Sequence, residues 1–72
     1  MEYIVRTNLK SELVDSLFYN PHNRDLVIGF KKGEKYVYRN VPVETVIKFV
    51  GAKSPGTFFT KNVRTTFQYD KG

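Results

Sequence analysis

A chain of 72 residues with a net charge of +5 and 40% hydrophobic residues has room for one small domain with a single core. It contains no cysteine, which excludes a disulfide framework and any cysteine-based metal site or nucleophile. No apolar run approaches the ~20 residues that a membrane-spanning helix needs, and the N-terminus lacks the pattern of a secretory signal, so we expect a cytoplasmic protein.

The N-terminal segment is short, apolar and typical of a β-strand, with Tyr3, Ile4 and Val5 followed by Arg6. Two interpretations remain open: an edge strand of the sheet, or an arm that binds a strand edge or groove of a partner. We accordingly divide the chain into an N-terminal arm or edge strand (1–10) and a single domain (11–72).

Two alternating segments, RDLVIGFK and EKYVYRN, predict a β-hairpin around Gly33. A two-residue loop would place Tyr36 and Tyr38 on the other side of the hairpin from the apolar side chains of its first strand. There the two rings could serve as an exposed stacking platform. A three-residue loop, 31–33, would place both rings on that apolar face. Glycine at the third position favours the three-residue loop, so we predict that the tyrosine rings are mostly core.

The segments after the hairpin predict helices. In VPVETVIKFVGA, the valines and isoleucine follow a helical stripe and Gly51 suits the end. In SPGTFFTKNVR, Ser54 is a candidate N-cap with Pro55 just inside a second short helix. TTFQY alternates and could return to the sheet as an edge strand. The predicted fold class is α+β: a small antiparallel β-meander followed by one or two short helices packed on one face.

An ordered set of residues spread over 14–67 resembles the KTSC domain, a family found as C-terminal tails of some lysyl-tRNA synthetases and as free-standing small proteins of bacteria and phages. Leucines at every fourth position favour a helix before the hairpin, but the resemblance implies a strand around VDSLFY. The matching residues are Tyr19, Leu26, Phe30, Gly33, Tyr36, Tyr38, Val41, Pro42, Ala52, Ser54, Gly56, Phe58, Phe59 and Arg64.

Catalytic chemistry has little support in the sequence. His22 is the only histidine and lies among turn-forming residues, without a residue pattern that would orient it as a base. There is no metal-ligand spacing and no glycine-rich phosphate loop. We therefore expect no enzymatic activity, cofactor, metal, small-molecule substrate or membrane partner.

Two functions of different classes remain. In the first, the domain is a protein-binding regulator of a nucleic-acid machine, with RNA polymerase as the leading candidate partner, and it acts by occlusion. The resemblance to free-standing phage members implies this reading, which would place the protein in a host bacterial cytoplasm. The candidate contacts are Tyr3, Ile4, Val5, Arg6, Phe58 and Phe59.

The alternative is direct RNA binding, which the charge distribution suggests. Residues 31–72 carry nine basic and three acidic side chains, whereas residues 1–30 carry three basic and four acidic ones. Ser54 could hold an anion at its helix terminus or could simply cap the helix while Gly56 allows close packing. The candidate RNA or acidic-surface contacts are Lys35, Arg39, Lys48, Lys53, Lys61 and Arg64.

Overall fold

A computed structural model describes residues 2–71; Met1 and Gly72, at the outer ends of the two predicted regions, lie outside the described residues. The strands form one antiparallel five-stranded sheet in chain order. They are β1 (Ile4–Arg6), β2 (Val14–Asn20), β3 (Asp25–Phe30), β4 (Lys35–Tyr38) and β5 (Tyr69–Lys71). The helices are α1 (Val43–Val50) and α2 (Pro55–Phe58), and α2 continues as a π-helical turn (Phe59–Val63).

This arrangement confirms the predicted α+β meander and the strand that the family resemblance implied before the hairpin. That strand, β2, pairs with β3 along its whole length, apart from a bulge between Val14 and Ser16. None of the helices in residues 2–71 is long and apolar enough to cross a membrane.

The β3–β4 hairpin has the predicted three-residue loop. Phe30 and Glu34 close it, because the Phe30 N–H donates to the Glu34 carbonyl at 2.9 Å and the Gly33 N–H donates to the Phe30 carbonyl at 2.8 Å. Gly33 has φ 98°, a left-handed conformation that glycine adopts without steric cost. Tyr36 therefore pairs with Ile28 and Tyr38 with Leu26, so both rings face the apolar side of the sheet.

The helices cover that inner face and close the core. Buried residues of the sheet meet Val46, Phe49, Phe59 and Val63 of the helical segments in one cluster. A long-range hydrogen bond joins the two layers, since the buried Tyr19 hydroxyl donates to the Val41 carbonyl at 2.6 Å. This bond satisfies a carbonyl at the entrance to α1 that the packing shields from water.

Three details differ from the sequence predictions. Ile47 is 60% exposed, because α1 buries Val46 and Phe49 rather than the full predicted stripe. Ser54 occupies the N-cap of α2 but makes no side-chain capping hydrogen bond. The last strand begins only at Tyr69, because residues 64–66 still form a turn after the π-helical segment.

The Tyr19–Val41 hydrogen bond yields a stability test. Tyr19→Phe keeps the ring but leaves the Val41 carbonyl buried without its donor, so we expect a loss of about 1–3 kcal/mol in the free energy of unfolding. The matched variant Tyr3→Phe removes a hydroxyl from an exposed ring and should change stability by less than about 0.5 kcal/mol. Urea denaturation measures both, and equal midpoints for the two variants would show that the bond contributes nothing.

Candidate functional site

Three exposed apolar side chains form a contiguous group at the β1 edge of the sheet, which we call the edge patch: Tyr3, Val5 and Phe18. Their exposed fractions are 51%, 50% and 36%. Val5 and Phe18 are direct cross-strand partners, and the Tyr3 ring packs edge-on against Phe18 with centroids 5.3 Å apart. The group lies on the face of the sheet opposite the helices, because the alternate residues of β2 are buried in the core.

The edge patch adjoins a strand edge that is open in residues 2–71. β1 is the end strand of the sheet and pairs only with β2. Arg6 is exposed, and its guanidinium donates to the Val5 carbonyl at 2.8 Å. Ile4 differs from its predicted role: it pairs with Tyr19, faces inward and packs half-buried against the core. The predicted N-terminal segment is thus a strand of the sheet, with Tyr3 and Val5 available on its surface.

The adjacent phenylalanines diverge, and only one remains accessible. Phe59 is 2% exposed and packs against Phe30, Tyr38 and Phe49. This corrects its prediction as a partner contact, since a ring buried in the core presents no docking surface. Phe58 is half-buried, packs against Phe49 with ring centroids 5.5 Å apart, and keeps some accessible surface.

The predicted basic residues do not share one surface. Lys35 and Arg39 flank inward-facing tyrosines of β4 and therefore lie on the outer face of the sheet. Lys48, Lys53, Lys61 and Arg64 belong instead to the helical layer, which covers the inner face. Strand alternation and the helix packing therefore divide these candidate contacts between the two faces of the sheet.

The positive charge of Arg39 is also balanced by two neighbouring carboxylates. Its guanidinium contacts the Asp25 carboxylate at 2.6 Å and the Asp70 carboxylate at 3.0 Å. The hydrogen bond to Asp70 and the charge of Asp25 raise the pKa of Arg39. Arg39 thus ties β3 to the β5 edge across the outer face, and its charge is balanced before any ligand arrives.

The Ser54 region has local structural explanations. A Cβ added at Gly56 would lie 2.7 Å from the Ser11 hydroxyl oxygen, which itself accepts hydrogen bonds from the Leu13 and Val14 N–H groups. Gly56 therefore allows the close packing that the sequence suggested. Asn62 donates to the Phe58 carbonyl at 3.3 Å within its own helical segment. The turn before β2 thus packs closely on α2 at Gly56, and the hydrogen bonds of Ser11 and Asn62 stabilise their own segments.

A second surface lies at the β4–β5 end of the inner face, where five aromatic rings surround an open cavity of about 260 Å³. Each ring contacts two others, so the five form a closed circle with centroid separations of 4.8–5.5 Å. We call this the aromatic cleft; its rings are Phe30, Tyr36, Tyr38, Phe59 and Tyr69. Sequence reasoning placed Tyr36 and Tyr38 in the core but did not identify Tyr69, whose parallel stacking on Tyr36 needs the strand pairing of β4 and β5.

The π-helical turn brings Arg64 to this cleft. In a regular α-helix Arg64 would be about 140° around the axis from Phe59, whereas both residues line the cavity. The Arg64 N–H donates to the Phe59 carbonyl at 2.9 Å, the i→i+5 bond of a π-helix, which widens the turn and carries Arg64 back toward the Phe59 side. Nothing in the sequence pattern indicated this turn.

The environment of the aromatic cleft changes the pKa of one of its own tyrosines, Tyr38. Burial raises the pKa of Tyr38 to about 12; the neighbouring Tyr69 adds to the increase and Arg64 opposes it. Arg64 itself forms no ion pair within residues 2–71. Its guanidinium therefore lines the cleft without a direct ion-pair partner among the described residues.

Comparison with known proteins supports the family resemblance. Residues 10–67 match the KTSC domain. The structure is similar to the crystal structure of a KTSC domain protein from Yersinia pestis, with a TM-score of 0.87 and 30% sequence identity over 99% of each chain. Strand β1 lies before residues 10–67, which match the family. It is included in the structural match, which covers 99% of the chain. No curated protein matches.

The raised pKa of Tyr38 predicts a loss of stability in alkali. The ordinary value is 10.0 and the folded value about 12, so between these pH values the folded state keeps a proton that the unfolded chain releases. The stabilising contribution is complete below pH 10 and falls as pH rises toward 12. Tyr38→Phe has no phenol to ionise, and its unfolding free energy should decline less steeply over this range.

Urea midpoints measured at several alkaline pH values give the two slopes. Burial also raises the pKa of Tyr19, so some decline should remain in the variant. Identical slopes for the wild type and Tyr38→Phe would contradict the assignment to Tyr38.

Proposed function

The chain belongs to the KTSC domain family, and we propose that it is a non-catalytic module that binds a partner protein through the edge patch and the open edge of β1. The observation that carries this proposal is the contiguous exposure of Tyr3, Val5 and Phe18 beside a strand edge that no other strand of residues 2–71 covers. Scattered exposed apolar residues are ordinary, but a group next to a free edge is a typical protein-binding surface.

The geometry suits the addition of a strand. A partner strand alongside β1 would form backbone hydrogen bonds at its outer edge, and its outward side chains would lie beside Tyr3 and Val5, with Phe18 behind them on β2. Half-buried Val27 and Val37 extend this row across β3 and β4. The exposed charge of Arg6 limits indiscriminate edge pairing and could select a partner with an acidic group.

RNA polymerase is the partner that we propose first. The resemblance to free-standing phage members of the family suggests a target among nucleic-acid machines, and a net charge of +5 favours association with acidic surfaces. The mechanism that we propose is occlusion: a compact domain docked at its sheet edge blocks the place that a transcription factor or RNA would otherwise occupy. No residue of the bound domain needs to react.

Direct RNA binding by an extended basic surface is the less favoured reading. Such a surface needs several cations on one side of the molecule, and here the six candidates are divided between two faces, with Arg39 held by two carboxylates. The protein-binding proposal does not depend on these residues.

A charge placed in the edge patch tests the proposal. Val5→Glu puts a carboxylate where an apolar contact is expected, and burying it without a counter-ion should abolish binding to purified bacterial RNA polymerase. The matched control is Ile47→Glu, because Ile47 is 60% exposed on α1, in the helical layer on the other side of the sheet. We expect this control to bind like the wild type and both variants to keep their melting temperatures within a few degrees.

Biolayer interferometry with nuclease-treated polymerase measures these affinities without RNA bridging. Equal binding of wild type and Val5→Glu would contradict docking at the edge patch. If the wild type fails to bind polymerase, the specific partner is wrong. A cross-linking screen in host lysate, with Val5→Glu as the reference, then tests whether any protein uses the patch.

A further inference from the structure

We propose that the aromatic cleft binds a nucleotide unit, with a planar base against the tyrosines and a phosphate at Arg64. This inference is independent of the edge patch. The cleft lies on the inner face beside β5, and the edge patch lies on the outer face beside β1, at the opposite end of the strand order. One site can therefore be lost without the other.

The size of the cleft limits its occupant. Pockets for drug-sized ligands hold roughly 300–1,000 Å³, and this cavity holds about 260 Å³. It therefore has room for one planar ring with a substituent at the mouth. Five of the ten residues that line the cavity are aromatic, and their rings favour a flat π-system over an aliphatic chain.

Tyr69 offers the surface for stacking. Its ring is parallel to that of Tyr36, with 3° between their planes and 4.8 Å between centroids, yet 51% of Tyr69 is exposed. A base stacked on Tyr69 would extend an existing two-ring stack without requiring either ring to rotate. The Tyr69 and Tyr36 hydroxyls can both donate and accept hydrogen bonds, and so can match the polar edge of a base.

The charges at the mouth favour an anionic substituent. Arg64 and Lys32 line the cleft and form no ion pair within residues 2–71, whereas Glu34 is engaged by Lys71 at 3.6 Å. The lining thus holds two cations and two carboxylates, and because Lys71 from outside the cleft pairs with Glu34, Glu12 is the one carboxylate of the lining that opposes Arg64 and Lys32. A guanidinium is well suited to a phosphate because it donates two parallel hydrogen bonds. The π-helical turn that moves Arg64 to the cleft is a distortion often found at functional sites.

Chemical-shift titration of the ¹⁵N-labelled protein tests the proposal with two probes, adenosine monophosphate and a five-residue oligoadenylate. We expect saturable shifts at Tyr36, Arg64 and Tyr69 with at least one probe. Tighter binding of the oligoadenylate by about tenfold would identify a single strand as the source, because further phosphates meet the surrounding positive charge. Equal affinities would identify a free nucleotide. Both results support the assigned chemistry.

Two matched substitutions distinguish specific binding in the aromatic cleft from non-specific attraction of the probes to positive charge. Arg64→Gln and Lys48→Gln each remove one positive charge from an exposed position of the helical layer, but only Arg64 lines the cleft. We expect Arg64→Gln to weaken binding by about tenfold or more and Lys48→Gln by less than about twofold. Tyr69→Ala, at an exposed position on an edge strand, should reduce binding without unfolding the domain.

Several outcomes would overturn the proposal. If Arg64→Gln and Lys48→Gln lose the same amount of binding affinity and the chemical shifts change at all basic residues, the probes are attracted non-specifically to positive charge. Absence of shifts with both probes would exclude a nucleotide. Shifts at the same residues with a short peptide ending in phenylalanine, but not with either nucleotide probe, would assign the cleft to a peptide carboxylate instead. Val5→Glu should bind the nucleotide probes like the wild type, which keeps this test distinct from that of the edge patch.

Discussion

The register of the β3–β4 hairpin is the constraint on which the rest of the molecule depends. Gly33 ends the three-residue loop in a left-handed conformation, and this fixes Tyr38 opposite Leu26. A shift of one residue would turn β4 over, because side chains alternate between faces of a sheet. Tyr36 and Tyr38 would then leave the core, and Lys35 and Arg39 would enter it without partners there. Burial of an unpaired charge is costly enough to exclude that arrangement.

The same register gives the two ends of the sheet different chemistry. At the β1 end, apolar side chains face outward because their neighbours on β2 fill the core. At the β5 end, Tyr38 is buried against Phe59, whereas Tyr36 and Tyr69 face inward but stay partly exposed and so border a cleft. Arg39 braces the outer face near β5 through Asp25 and Asp70. The basic character of the chain is consequently dispersed, and the two surfaces that we propose for binding are apolar and aromatic.

Local sequence signals predicted those elements whose physical cause is local. Glycine at the third loop position predicted the length of the hairpin loop, and Gly51 marked the end of α1. The helix-like spacing of leucines before the hairpin was misleading, since strand pairing with β3 outweighs local periodicity, and only the family resemblance corrected it. The resemblance itself proved correct over most of the chain.

The candidate sites were less accessible to sequence reasoning because they arise from long-range contacts. Phe18 joins the edge patch only through its pairing with Val5, and alternation along β2 was the one signal that could have indicated it. Tyr69 reaches the aromatic cleft through β5, which the alternation in TTFQY suggested but placed too early, and Arg64 reaches it through a π-helical turn that has no sequence signature here. Phe59 was misassigned because two adjacent phenylalanines on a helix do not reveal which one faces the core.

The hairpin register can be measured directly by cross-strand nuclear Overhauser effects in solution. The three-residue loop predicts backbone contacts between Leu26 and Tyr38 and between Ile28 and Tyr36, together with ring contacts from Tyr38 to Phe59. Contacts pairing Tyr38 with Val27 instead would show a two-residue loop, place both tyrosines on the outer face, and contradict the positions assigned here to the aromatic cleft and to the charged residues of β4.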